Sequence, residues 1–188
     1  MATTSTEQLS CMLHGLVACD GVSVLGVFPA NQVPSIDRSS HCCFILNTEA
    51  RGQPGQHWLA FFYNQYDDTL EYFDSYGMTL ATYDIVYTSL HSRGLLAFCV
   101  PANSIGCLQS VMSFVCGHYC IAFLYWRSKH KHTTLTRFSI CLMRMHNTAA
   151  DRDKYVVKFV RDLLQRGNCC TDMLSRSHCS QSCSCSAK

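Results

Sequence analysis

The stretch from Cys116 to Arg127, CGHYCIAFLYWR, is apolar on almost every face of the helix it would form. Such a helix has little to offer solvent, so it belongs in the interior with packed layers around it. That demands a domain of some size, and 188 residues suffice for one well-buried domain but not comfortably for two. The composition agrees, with 48% hydrophobic residues against 15% charged. A net charge of +2 argues for nothing by itself. The charges are unevenly placed, however: residues 47–84 are rich in acids, while Arg127 to Arg144 contains basic residues and no acid.

Other elements follow from periodicity and punctuation. Thr4-x-x-Glu7 has the form of a capping box, and Leu9, Met12, Leu13 and Leu16 follow at helical spacing, predicting an N-terminal helix. Residues 20–40 read as loop, broken by Gly21, Gly26, Pro29 and Pro34. Cys42 to Leu46 and Trp58 to Tyr63 read as buried strands, and a turn at Tyr66–Thr69 leads into a third at Leu70 to Asp74. Residues 79–92 suit a helix, and Leu95 to Val100 a strand stopped by Pro101. Asp151 to Arg166 is an amphipathic helix with Gly167 as its C′ residue. From there the chain becomes Ser/Cys-rich, so one domain is expected over residues 1–167 and a disordered tail over residues 168–188.

Fourteen cysteines would fit a secreted disulfide scaffold. The start, Met1-Ala2-Thr3-Thr4-Ser5-Thr6-Glu7, has no basic segment leading to an apolar one, which removes the expected secretory context. Cys42, Cys43, Cys99, Cys120 and Cys141 lie in apolar runs, where a thiol behaves as a small hydrophobe. An intracellular, reducing environment is therefore expected. No apolar stretch reaches the ~20 residues of a membrane span, so no membrane partner is expected.

Four residues carry complementary chemistry. His57 opens one predicted strand and Asp74 closes the next, so an antiparallel hairpin brings them to one end of the sheet. Cys116 would start the buried helix, whose N-terminus favours a thiolate. A thiol needs an imidazole base, the imidazole needs a carboxylate to fix its tautomer, and an amide such as that of Gln109 can receive the oxyanion. Each residue alone has a commoner structural role. Together they point to a thiol acyl-transfer enzyme.

His57-Trp58, Tyr72-Phe73-Asp74-Ser75-Tyr76-Gly77, Gln109 and Cys116-Gly117 resemble in order and spacing the adenovirus proteinase family and its cellular relatives, the proteases specific for ubiquitin-like proteins. Glu7-Gln8-Leu9, Phe44-Ile45-Leu46-Asn47-Thr48, Gly55-Gln56-His57-Trp58-Leu59-Ala60-Phe61 and Gly117-His118-Tyr119-Cys120 extend the similarity. The resemblance implies an α+β fold: a central mixed, mainly antiparallel sheet flanked by helices, with the nucleophile at the N-terminus of a buried helix. It implies a monomeric cysteine endopeptidase with a His57-Asp74-Cys116 triad and a Gln109 oxyanion donor. The substrates would be viral capsid and core precursors cut at small, glycine-containing sites during particle maturation, in the host nucleus and the virion. Asp74 stands where adenovirus enzymes usually carry Glu, in a Phe-Asp-Ser-x-Gly context closer to the cellular branch. The origin expected is therefore a virus or virus-derived element outside the main adenoviruses. An isopeptidase acting on a ubiquitin-like modifier is the first alternative, and an inactive binding domain of the same fold the second.

Family members also use a short activating peptide and DNA. Cys99, one residue out of register, and Cys107 are the candidates for a disulfide with such a peptide, though Cys99 equally suits a buried strand. Arg127, Lys129, Lys131 and Arg137, with His130 and His132 among them, are candidate phosphate contacts, or equally a solvated loop. Cys169, Cys170, Cys179, Cys183 and Cys185 with His178 match no standard zinc spacing, so no metal is expected and none is required for the chemistry.

Overall fold

The computed structural model describes residues 4–166. Its first helix, α1 (Thr6–Val17), is capped by Ser5: the Gln8 N–H donates to Ser5 Oγ at 3.2 Å and the Ser5 N–H to Gln8 Oε1 at 2.9 Å. The box is thus one residue later than Thr4-x-x-Glu7, because Thr4 is buried beside Gly117 and His118 instead of facing solvent.

Five strands, β1 (Ser23–Phe28), β2 (Cys42–Asn47), β3 (Trp58–Asn64), β4 (Thr69–Phe73) and β5 (Cys99–Pro101), lie side by side in sequence order. The sheet is mixed: β2–β3 and β3–β4 are antiparallel, and the outer pairs β1–β2 and β4–β5 are parallel. Strand β1 occupies part of the predicted 20–40 loop. Its register slips between Val24 and Gly26, where Gly26 has φ +126°, so no clean two-residue period marks it. The predicted Leu95–Val100 strand is shorter than expected, since Leu96–Phe98 is a 3-10 turn. Pro101, lacking an N–H, is accommodated because β5 is the sheet edge.

Alternation along the strands builds two cores. Cys43, Ile45, Ala60, Phe62 and Phe73 face α1, α3 (Cys116–Lys129), α4 (Arg137–Met145) and α5 (Ala149–Arg166). Phe44, Leu46, Leu59, Phe61, Leu70 and Tyr72 face α2 (Asp84–Ser92) and the chain around Ala30 and Val33. Helix α3 crosses the first face and, as its composition requires, is buried over most of its length. Helix α4 falls in the basic stretch that pattern alone leaves as loop: Phe138 and Leu142, one turn apart, enter the core while Cys141 stays exposed instead of packing.

One charged pair is enclosed between sheet and helix. Arg127 on α3 grips Glu71 on β4 with two hydrogen bonds of 2.6 Å, both side chains essentially inaccessible. Arg127 also donates to the carbonyls of His130 and Thr133, fixing the chain as it leaves α3. Among the described residues no helix is long and apolar enough to cross a membrane. Gly167, the tail over residues 168–188 and its cysteines with His178 lie outside the described residues.

Candidate active site

His57 directly precedes β3 and Asp74 directly follows β4, so the antiparallel pairing Ala60↔Phe73 sets them at the same end of the sheet. His57 Nε2 donates to Asp74 Oδ1 at 2.7 Å, both groups being buried. The carboxylate is further held by the N–H groups of Tyr76 and Met78, at 2.9 Å each, and by the Tyr83 hydroxyl at 2.8 Å. Burial pushes against ionisation of Asp74, but the donors, led by His57, win and hold its pKa below the ordinary carboxylate value.

Burial likewise disfavours the His57 imidazolium. The Asp74 bond and the hydrogen-bonded Cys116 thiol outweigh it, raising the pKa to about 9. With Nε2 committed to Asp74, Nδ1 is the ring nitrogen left for the sulfur. The rings of Tyr76 and Tyr83 stack on the imidazole, with centroids 4.8 and 5.9 Å away. Cys116 is the first residue of α3 and 8% exposed. It opens into a cleft of about 500 Å³, lined also by Asn47, Glu49, Trp58, Tyr76, Ser113 and Phe114. First-turn N–H groups lack helical partners and carry the positive end of the helix dipole, so this position can stabilise a thiolate and an oxyanion. A carboxylate-oriented imidazole against such a thiol is equipped for nucleophilic attack on a carbonyl.

Gln109 lies beside this group, held at every polar atom. Its Oε1 accepts from Ser75 Oγ at 2.8 Å, and its Nε2 donates to the Ser113 carbonyl at 2.9 Å and to Tyr76 Oη at 3.2 Å. The N–H groups of Leu108 and Gln109 donate to the Ser75 carbonyl at 2.8 and 3.1 Å, tying this loop to the chain after Asp74. Asn103 Nδ2 completes the tie by donating to the carbonyls of Asp74 and Gly106. From the other side, Arg152 of α5 donates to the Leu108 carbonyl at 2.9 Å, and buried Asp153 takes the Tyr119 hydroxyl at 3.0 Å.

The structure thus brings His57, Asp74, Gln109 and Cys116 together. Tyr83, Asn103 and Asp153 carried no signal in the sequence, because nothing local distinguishes them. Tyr76 lies within the Tyr72–Gly77 segment, and only its contacts single it out.

The secondary candidates fare differently. Cys99 is partly buried with its thiol on the Leu95 carbonyl, and burial raises its pKa to about 12, which disfavours exchange. Cys107 is exposed. The expected phosphate-binding cluster does not form one surface. Arg127 is 1% exposed and committed to Glu71, Lys129 pairs with Asp20, and Lys131 donates to the Asp20 carbonyl at 2.7 Å. Arg137 alone of the four is exposed and, among the described residues, makes no such contact. Among the described residues no group of three or more His, Cys, Asp or Glu side chains could hold a metal ion.

Comparison with known proteins adds an independent line. A model of the adenovirus endoprotease family matches residues 24–148, a span containing all four residues of the site. The protease of human adenovirus A serotype 12 is 32% identical over 131 residues, covering 65% of this chain and 63% of that protein. The protease of porcine adenovirus A serotype 3 is 32% identical over 109 residues, 53% of each chain. The chain therefore spans less than two thirds of the length of these relatives. Among solved structures, ChlaDub1 from Chlamydia trachomatis superposes with a TM-score of 0.48 at 14% identity, covering 90% of this chain and 82% of that one.

Proposed function

The chain belongs to the adenovirus endoprotease family, and from that premise we propose that it is a cysteine endopeptidase with Cys116 as nucleophile. The observation that carries this is His57 held between the Asp74 carboxylate and the Cys116 thiol, at the positively polarised end of α3.

In the reaction, the Cys116 sulfur attacks the scissile carbonyl while His57 holds the thiol proton on Nδ1. Asp74 keeps Nε2 protonated and stabilises the imidazolium that results. The tetrahedral oxygen is received at the Cys116 backbone N–H, with the Gln109 amide group on the side-chain flank. His57 then delivers its proton to the leaving amine, and water releases the acyl group by the same route in reverse. The substrates assigned are viral capsid and core precursors with small, glycine-containing sites, processed in the host nucleus and the virion. The Phe73-Asp74-Ser75 context supports a second reading, release of a ubiquitin-like modifier from its conjugates. An activating peptide would meet the exposed Cys107 more readily than Cys99. A DNA contact would draw on Arg137, not Arg127.

The test sets wild type and Cys116→Ala against structural precursor proteins, glycine-containing peptides and modifier–fluorophore conjugates. Cleavage of the first two by wild type alone is expected. Cleavage of conjugates only would shift the assignment to the isopeptidase. Cleavage of none would leave a binding domain, and equal cleavage by Cys116→Ala would remove Cys116 as the nucleophile.

A further inference from the structure

We propose that the hydroxyl of Tyr76 is a catalytic group, donating a hydrogen bond to the oxyanion, and that Gln109 acts mainly by holding that hydroxyl in place. The proposal rests on the protease reading above and refines its side-chain donor.

Gln109 has no amide proton to spare. A primary amide has two N–H donors. Both are spent, one on the Ser113 carbonyl at 2.9 Å and one on Tyr76 Oη at 3.2 Å. The side chain is 1% exposed and stands behind Tyr76 and Ser113, which line the cleft with Cys116. Tyr76 is in the opposite condition. Its oxygen accepts from Gln109, so its single proton must point elsewhere, and among the described residues no acceptor takes it.

The donors form a directed chain: Ser75 Oγ–H to Gln109 Oε1 at 2.8 Å, Gln109 Nε2–H to Tyr76 Oη, and then the Tyr76 proton toward the cleft. Each link polarises the next, making the last hydroxyl a better donor than an isolated phenol. Burial also pushes the Tyr76 pKa up, so the group keeps its proton through the neutral range.

Preorganisation is the other requirement for oxyanion stabilisation. The Tyr76 ring stacks on His57 at 4.8 Å, and its N–H is fixed on Asp74 Oδ1 at 2.9 Å. Gly77 next door, at φ +69°, presses against Gly106 so closely that a Cβ would lie 2.8 Å from that backbone. The phenol is thus clamped between the imidazole and the Gln109 loop. As the sulfur–carbon bond forms, the carbonyl π pair moves onto oxygen and the Tyr76 O–H bonds to it without transferring its proton. On collapse the pair returns, the carbon–nitrogen bond breaks, and the amine takes its proton from His57.

Tyr76→Phe keeps the ring and removes only the hydroxyl. Expected is a kcat lower by roughly 10- to 1,000-fold with KM within about twofold. A peptide ending in glycine aldehyde forms a hemithioacetal whose oxygen mimics the oxyanion. Its affinity should fall by a comparable factor, while that of the matching peptide alcohol should not change. Unchanged thermal unfolding would exclude a folding defect. A Tyr76→Phe enzyme as fast as wild type or faster, with undiminished aldehyde affinity, would overturn the proposal and make the hydroxyl a plug that substrate displaces. Wild type forming no adduct at Cys116 would overturn the protease reading itself, a separate and recognisable result.

Discussion

His57 shows how a single residue's charge state is set by competing effects of similar size. Burial alone would keep the ring neutral, yet contact with Asp74 and Cys116 leaves it raised to about 9. The alkaline limb of kcat/KM should therefore lie near pH 9. In Asp74→Asn the limb should fall toward the unperturbed 6.5 and the rate should drop by about 10²- to 10⁴-fold, both read from pH–rate profiles. The same shift is a stability statement. A folded pKa above the unfolded value contributes stability that is full below about 6.5 and lost as pH rises through about 9. Urea midpoints should decline across that window in wild type and lose this component in His57→Gln. An unchanged slope in the variant would assign the decline to another group.

At the scale of elements, two glycines test how closely the site depends on packing. Gly117 lies in α3 where a Cβ would meet Leu9 Cδ2 at 2.9 Å, the far end of a flexible side chain, and Thr4 at 3.2 Å. Alanine there gains up to about 1 kcal/mol of helix propensity against the clash, so a small net change is expected. Gly77 has no such relief: its φ is +69° and the obstacle is the Gly106 backbone at 2.8 Å. Gly77→Ala should cost about 1–3 kcal/mol in urea unfolding and lower kcat more than Gly117→Ala does, because it parts the Tyr76 and Gln109 loops. A Gly77→Ala enzyme with unaltered kcat would break that link. The elements differed in legibility for physical reasons. The hairpin β3–β4 and helices α3 and α5 carry strong local patterns, so residues 58–63, 70–74 and 151–166 were readable. Strand β1 carries a bulge at Gly26, and α4 buries Phe138, Ser139 and Leu142 while exposing the apolar Cys141 and Met145 with Arg137 and Arg144, so residue type does not mark the buried face of either.

For the whole molecule, the enclosed Glu71–Arg127 pair ties sheet to helix and takes Arg127 out of reach of solvent. Burial pushes the Glu71 pKa up, and Arg127 is the cation that opposes this. Removing one partner strands a charge, so Arg127→Met should destabilise by about 3–5 kcal/mol in urea unfolding, and adding Glu71→Leu should recover much of it. Duplex-DNA affinity, if any is measured, should be insensitive to Arg127. A stable Arg127→Met protein with lost DNA binding would restore the phosphate-contact role.

The linear chain sufficed for what depends on local order and spacing: the buried α3 helix, the hairpin that brings His57 and Asp74 to one sheet end, and the choice of the four residues proposed for the site. It could not decide what depends on which distant atoms compete for the same partner. Whether Arg127 met phosphate or Glu71, and which partners took the two Gln109 amide protons, were decided only when β4, α3 and the loop before Cys116 closed on one another. Hydrogen-bond donors and buried charges are finite, and their allocation is a property of the packed molecule.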